Sequence, residues 1–428
     1  MFSERTNWRL AKNRFTQAVE EVRARGSQIL DLTASNPTRV GLSYDSAAIL
    51  RALGSERALD YDPQSRGLLS AREAVAGYYG ESHRIPVDAE KIVLTASTSE
   101  GYSYVFRLLS NAGDELLVPK PSYPLLEFLA DLQDVRLVPY PLIYDHGWQM
   151  DFPSLEKAVT GRTRGVVVVH PNNPTGSYVK ASELGLLNDF CRERGLVVIV
   201  DEVFLDYGLD GTISGIPENP AELRSAGLPG AAPPQRAITG RFGDPGPTSS
   251  LPFASFAGNQ SVLTFTLSGL SKISALPQMK VAWIVTSGPG DQVEAAMTRL
   301  EVIADTYLSM NAPVQWAVPV LLAQRKNMQA QLMDRVRRNL AELDRQLARQ
   351  KACQRLEVEG GWYAVVRVPV TRSDEELAIE LVREKCVLLH PGHFYDFESD
   401  GYLVLSLIGA EGEFGEGIRR VFDHLFTR

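Results

Sequence analysis

GVVVVH (165–170) and LVVIVD (196–201) are the stretches on which the fold turns. Each is a short run of Val and Ile, apolar at consecutive positions and bounded by turn residues. A strand with one wet face alternates polar and apolar residues, whereas a run apolar throughout is buried on both faces, as in a helix-covered, mainly parallel sheet. Four further runs share this character: KIVLTA (91–96), ELLVP (115–119), VLTFTL (262–267) and VAWIVT (281–286). Helical patterns lie between several of them, at 67–80, 99–110 and 181–195. The alternation predicts an α/β fold with a large, doubly wound, mainly parallel sheet.

Further along, Ala312 to Gln350 reads as a long helical stretch punctuated by Pro319. The remainder mixes strands (WYAVVRVP, YLVLSLI) with helices (DEELAIELVREK, GEGIRRVFDHLF). The expected organisation is a large domain over 46–305. A smaller α+β domain is expected from 1–45 and 306–428, including the long connecting helix. Residues 211–258 are rich in Gly, Pro, Ser and Ala and read as a flexible surface insertion.

The chain has 428 residues, 44% hydrophobic and 22% charged, as for an ordinary soluble globular protein. A net charge of −8 argues against nucleic-acid or anionic-membrane partners, which select basic surfaces. Cys191, Cys353 and Cys386 are too few and scattered for a disulfide framework or a zinc site, and a reducing cytoplasm is expected. The charged start MFSERTNWRLAKNRF has no apolar core like that of a signal peptide. No run approaches the roughly 18 apolar residues of a membrane span.

Three polar residues fall just past the C-terminal ends of expected strands: Asn173 after GVVVVHPN, Asp201 at the end of LVVIVD, and Lys272 after VLTFTLSGLS. Ligands of open α/β sheets bind along that edge. A lysine there can form an imine with an aldehyde and then move a proton. A carboxylate can pair with a pyridinium nitrogen, and an amide can hydrogen-bond a ring oxygen. Pyridoxal 5′-phosphate (PLP) chemistry needs all three. Singly, Lys272 reads equally as a surface lysine, Asp201 as a metal ligand or helix cap, and PNNPTG as a turn.

In the segments PNNPTG (171–176), VIVDEVF (198–204) and LSKISALPQMKVAW (270–283), in that order, the chain resembles the class I/II aminotransferases of PLP fold type I. The resemblance implies that Lys272 is the Schiff-base lysine and general base, that Asp201 pairs with the pyridine nitrogen and that Asn173 bonds the ring oxygen. Tyr123 (in PKPSYP) matches the residue that stacks on the ring. Ser97, Thr98 and Ser99 match the phosphate cup, at a helix N-terminus suited to an anion; Ser97-x-x-Glu100 also reads as a capping box. Lys280 matches a phosphate-binding arginine, and Tyr61 (in YDPQSRG) a tyrosine that reaches the neighbouring subunit's phosphate. A homodimer with a shared active site follows from that match.

Three positions depart from the family pattern. Phe204 stands where most relatives have a tyrosine that donates to the ring oxygen, which is expected to raise the pKa of the imine. Gly269 replaces a serine directed at the phosphate, with Ser268 or Ser271 as substitutes. Val404 stands where an arginine normally binds the substrate carboxylate. Asn36 and Arg39, in SNPTRVG, are candidate substrate residues, and Arg367 is another cation. His390 and His393, in HPGH, read as a turn, and no metal is expected. The implied activity is transfer of an amino group from an amino acid to a 2-oxo acid. Lyase, decarboxylase or oxidase chemistry on the same fold and a non-catalytic PLP-binding protein stand as alternatives.

Overall fold

The computed structural model describes residues 1–8, 10–209, 254–308 and 310–426. All six expected strands are present. After a short β1 (Leu30–Asp31), the large sheet comprises β2 (Ile92–Thr95), β3 (Glu115–Lys120), β4 (Arg136–Tyr144), β5 (Trp148–Met150), β6 (Thr163–Val169), β7 (Val197–Asp201), β8 (Thr264–Gly269) and β9 (Ala282–Ser287). Their order is β2-β9-β8-β7-β6-β3-β4-β5. The centre is parallel; β9 runs antiparallel to both neighbours and β5 antiparallel to β4. The sequence reading missed β4 and β5. RLVPYPLIY carries two prolines and is only partly buried, so it lacks the unbroken Val/Ile signature.

Side-chain alternation along the strands shows why their sequence is apolar at every position. Val198 and Val200 of β7 join the cluster on one face with Leu187 and Phe190 of the helix Ala181–Arg194. Ile199 joins the cluster on the other, with Val105 and Phe106 of the helix Thr98–Leu109. Both faces of the sheet are therefore dry.

A second, antiparallel sheet has the order β10-β11-β14-β13, with β10 (Gln354–Arg355), β11 (Tyr363–Arg367), β13 (His390–Pro391) and β14 (Tyr402–Ser406). The strand β12 (Val387–Leu388) pairs in parallel with β1, tying the N-terminal segment to this smaller unit. His390 is thus a strand residue, and a 3-10 turn follows at Gly392–Tyr395.

The long helical stretch breaks at Gln324, between the helices Ala312–Ala323 and Arg325–Leu347, and Pro319 lies inside the first. Val318, Leu321 and Leu322 pack with Ala71 and Val75 of the helix Leu69–Tyr78. That burial offsets the hydrogen bond an internal proline forfeits. Of the expected insertion, 211–253 lie outside the described residues. Within the rest of it, Ser255, Phe256 and Ala257 are buried, so that part is not surface chain.

The parallel strands β2, β3, β6, β7 and β8 end along one edge, just before Ser97, Tyr123, Asn173, Glu202 and Lys272 respectively. Truncating Ile199 to Ala at the sheet centre should cost roughly 2–5 kcal/mol, read as a lower urea midpoint.

Candidate active site

Lys272 lies in the one-turn helix Leu270–Ile273 that leaves β8. Its Nζ donates to the Ser35 carbonyl at 3.4 Å. It sits 4.8 Å from the ring centroid of Trp362 and 5.5 Å from that of Phe204. Tyr207 donates its hydroxyl to the Lys272 carbonyl at 2.6 Å. Burial pushes the Lys272 ammonium down to about 8, and the Asp201 carboxylate holds it from falling further.

Asp201 ends β7. Its Oδ1 accepts from the Val203 amide at 3.1 Å, and its Oδ2 from the Tyr102 hydroxyl at 3.4 Å. Burial raises the Asp201 carboxyl to about 6, despite these bonds and Lys272. A buried carboxylate in this state gains from a cationic partner, which a pyridinium nitrogen would supply. Asn173, at the turn after β6, leaves a buried Oδ1 without a partner. The Oδ1 of the neighbouring Asn172 is also unpartnered, while its Nδ2 bonds the Pro121 carbonyl at 3.0 Å, joining this turn to the one that carries Tyr123.

Ser97 caps the helix Thr98–Leu109, its Oγ accepting from the Glu100 amide at 3.1 Å. Glu100 reaches back to the Ala96 amide at 2.6 Å. The Ser97 half of the expected capping box is formed, while Glu100 binds the amide one residue before the N-cap instead of that of Ser97. The first-turn amides of Thr98 and Ser99 have no intrahelical acceptor and suit an anion. These residues fit PLP: an anion cup, a buried carboxylate, a side-chain amide whose Nδ2 can donate to a ring oxygen and a neutralisable lysine lie along one sheet edge.

Other expected residues sit differently. Tyr123 is half exposed, and Tyr61 is 82% exposed, lining a cavity of about 80 Å³ with Gln64, Gly67 and Leu308. Within this chain Tyr61 is not brought to the cup by any hydrogen bond among the described residues. Lys280 is exposed with a left-handed backbone (φ 54°). Asn36 spends its Oδ1 on the Thr38 amide and hydroxyl, and Arg39 is exposed. Both belong to the segment whose Ser35 carbonyl meets Lys272. Arg367 lies over the Tyr402 ring at 5.7 Å.

Two departures have physical reasons. A Cβ on Gly269 would stand 2.8 Å from the Val281 carbonyl oxygen and 2.9 Å from the Ala282 Cβ, so no serine fits there. Ser268 does not substitute for it, because its hydroxyl donates to the Glu202 carbonyl at 3.3 Å. Val404 is buried in the small sheet, opposite Val365 on one side and His390 on the other. His390 instead bonds the Tyr395 hydroxyl at 3.0 Å. Among the described residues no cluster of three or more His, Cys, Asp or Glu could hold a metal.

Sequence reading missed Tyr102, Tyr207, Trp362 and Ser35. Tyr102 carried a legible signal, one helical turn after Thr98 in a helix that starts at the cup. Trp362 and Ser35 carried none, since they arrive from distant segments.

The lysine, carboxylate, amide and anion cup on the edge of a doubly wound sheet define a PLP enzyme of fold type I. The family of class I and II aminotransferases matches residues 28–406, and the chain belongs to it. It is a PLP-dependent aminotransferase, acting on an amino acid and a 2-oxo acid. The glutamate-pyruvate aminotransferase AlaA of Haemophilus influenzae is 24% identical over 392 residues, covering 89% of this chain and 87% of the relative. The alanine aminotransferase of Mycobacterium tuberculosis is 24% identical over 96% of this chain and 89% of its own. The solved alanine aminotransferase of Pyrococcus furiosus has the same fold, with a TM-score of 0.83, 19% identity and full coverage of both chains.

In the chain without cofactor, acylation of Lys272 should show a pH midpoint near 8, and Asp201→Asn should move it lower by removing the charge that supports the ammonium. A midpoint above 10, or one indifferent to Asp201, contradicts this. Burial also raises Glu202 from 4.5 to about 7. The folded state then binds more protons than the unfolded state between those values, so this residue's contribution to stability rises as pH falls from about 7 toward 4.5. Melting temperatures from pH 7.5 to 5.5 should show the wild type gaining on Glu202→Gln.

Proposed function

We propose that Lys272 carries the catalytic amine of this aminotransferase, with Asp201, Asn173 and Tyr123 around the cofactor ring and Ser97, Thr98, Ser99 and Lys280 around its phosphate. The observation that carries this reading is the convergence of Lys272, Asp201 and Asn173 on one sheet edge, with the lysine lowered to about 8. When bound, PLP supplies an aldehyde that condenses with amines and a ring that withdraws electrons from the substrate Cα. The chain supplies the rest. Lys272 Nζ, about half neutral at pH 8, would take the proton from the substrate Cα and deliver it to the cofactor C4′ carbon, and would move it the opposite way in the second half-reaction. Asp201 holds a proton on the pyridine nitrogen. Asn173 orients the ring through its side-chain amide. Trp362 and Phe204 flank the amine.

For substrates we place alanine with 2-oxoglutarate, and glutamate with pyruvate, first, because the similar proteins from Haemophilus influenzae and Mycobacterium tuberculosis bear those names. Asn36 and Arg39 would then face the substrate from the segment beside Ser35. The working unit is a homodimer with a shared site in a reducing cytoplasm. The exposed Leu59 and Tyr61, and Leu308 in the wall of the Tyr61 cavity, support the dimer. Three free cysteines support the compartment. The large domain spans 46–305, and the smaller one is formed by 1–45 and 306–428.

Val404 favours one further reading. With no arginine on that strand, another outcome at Cα, such as loss of carbon dioxide or ammonia, competes with transamination. Mixing the PLP-loaded enzyme with a panel of amino acids, without acceptor, separates the two. One equivalent of 2-oxo acid per site supports transamination; ammonia, carbon dioxide or peroxide supports the other. Lys272→Ala should abolish turnover, and retained turnover overturns the assignment of Lys272.

A further inference from the structure

The segment that follows Asp201 touches Lys272 in two ways: Phe204 presents its ring to the amine, and Tyr207 bonds the backbone carbonyl. Between them, Asp206 turns away from the site into a closed polar cluster. Its Oδ1 lies 3.2 Å from His83 Nε2, and its Oδ2 accepts from the Tyr78 hydroxyl at 2.8 Å. His83 Nε2 and the Tyr78 hydroxyl are themselves 2.9 Å apart. The side chains of His83 and Asp206 are 2% and 6% exposed. Tyr78 packs edge-on against Tyr79 and His83 and lies near Trp283 of β9. Tyr79 accepts from the Trp283 indole at 3.2 Å.

A buried carboxylate and histidine are costly to desolvate, and such a pair adds little net stability relative to apolar residues. Its effect is geometric. Both Asp206 oxygens are held by residues at the end of the helix Leu69–Tyr78 and in the helical turn after it. These bonds therefore fix Asp206, which is next to Tyr207 and two past Phe204.

We propose that Asp206, His83 and Tyr78 form a positioning unit that holds Phe204 and Tyr207 against Lys272 and so sets where its amine stands. This rests on Lys272 being the catalytic amine. None of the three touches the reacting atoms.

The test compares Asp206→Asn, His83→Phe and His83→Gln in the full chain. A displacement of the amine by a fraction of an ångström should lower kcat about tenfold or more with KM little changed. It should also move the midpoint of Lys272 acylation in the cofactor-free chain by about half a unit or more. His83→Gln, which can still donate to Asp206, should restore most of both. Tyr78→Phe removes one bond to Asp206 and leaves the pair intact, so a smaller change of the same kind carries the test where the others do not fold. Variants that melt lower while kcat and the acylation midpoint stay at wild-type values show a purely structural cluster and overturn the proposal. If Lys272→Ala keeps turnover, the lysine assignment fails instead, and the acylation midpoint still reports whether the cluster positions that amine.

Discussion

Two consecutive buried carboxylates at the end of β7 are the constraint on which the site depends. Strand geometry sends neighbouring side chains to opposite faces. Asp201 meets Tyr102, from the helix over one face. Glu202 goes to the other face, where its oxygens accept from the Ser255 hydroxyl and the Phe256 amide, both at 2.6 Å. Each has a different use. Asp201 has only weak partners in the protein, so its charge is available to a cation at the sheet edge. Glu202 has one protein donor on each oxygen, and it fixes the point where the chain returns at Ser255.

The same edge is closed by a segment from the smaller unit. The Glu359 amide donates to the Gly176 carbonyl, and the Glu359 carbonyl accepts from the Leu209 amide at 2.8 Å. The Gly361 amide donates to Tyr207 at 2.9 Å, and the Trp362 carbonyl accepts from Leu407 at 2.7 Å. Gly176 is required here: its φ is +71°, and a Cβ would stand 2.5 Å from the Gly360 carbonyl oxygen. The PNNPTG turn thus has a mechanical duty beyond placing Asn173. It lets residues 359–361 run close enough for Trp362 to reach the Lys272 amine.

The large sheet was legible because burial on both faces leaves an uninterrupted apolar record in β6 and β7. The positions of Lys272, Asp201 and Asn173 were legible because each lies at, or within four residues of, a strand end that the apolar run marks. β4 was not, since a partly wet strand with two prolines resembles irregular chain. Pro319 misled because its cost is small beside the burial around it. Trp362, Ser35 and the His83–Asp206 pair were beyond reach for another reason. They are contacts between segments separated by tens to hundreds of residues, and no local periodicity encodes them. The sense of Gly269 also emerges only in three dimensions, from the backbone of β9 beside it.

The departures from the family pattern share a direction, toward fewer polar side chains. Phe204 brings a ring where a hydroxyl was expected, Gly269 brings no side chain, and Val404 is an apolar residue in a dry strand. Two opposing effects then act on the amine. Withdrawal from water favours its neutral form, while the faces of Phe204 and Trp362 and the charge of Asp201 favour the ammonium. The balance leaves Lys272 near 8, where it can exchange a proton at physiological pH without a dedicated base beside it. A site built this way orders its lysine by packing more than by hydrogen bonds. Its precision then depends on how rigidly the aromatic wall is held, and the buried residues behind Phe204 and Tyr207 are what hold it.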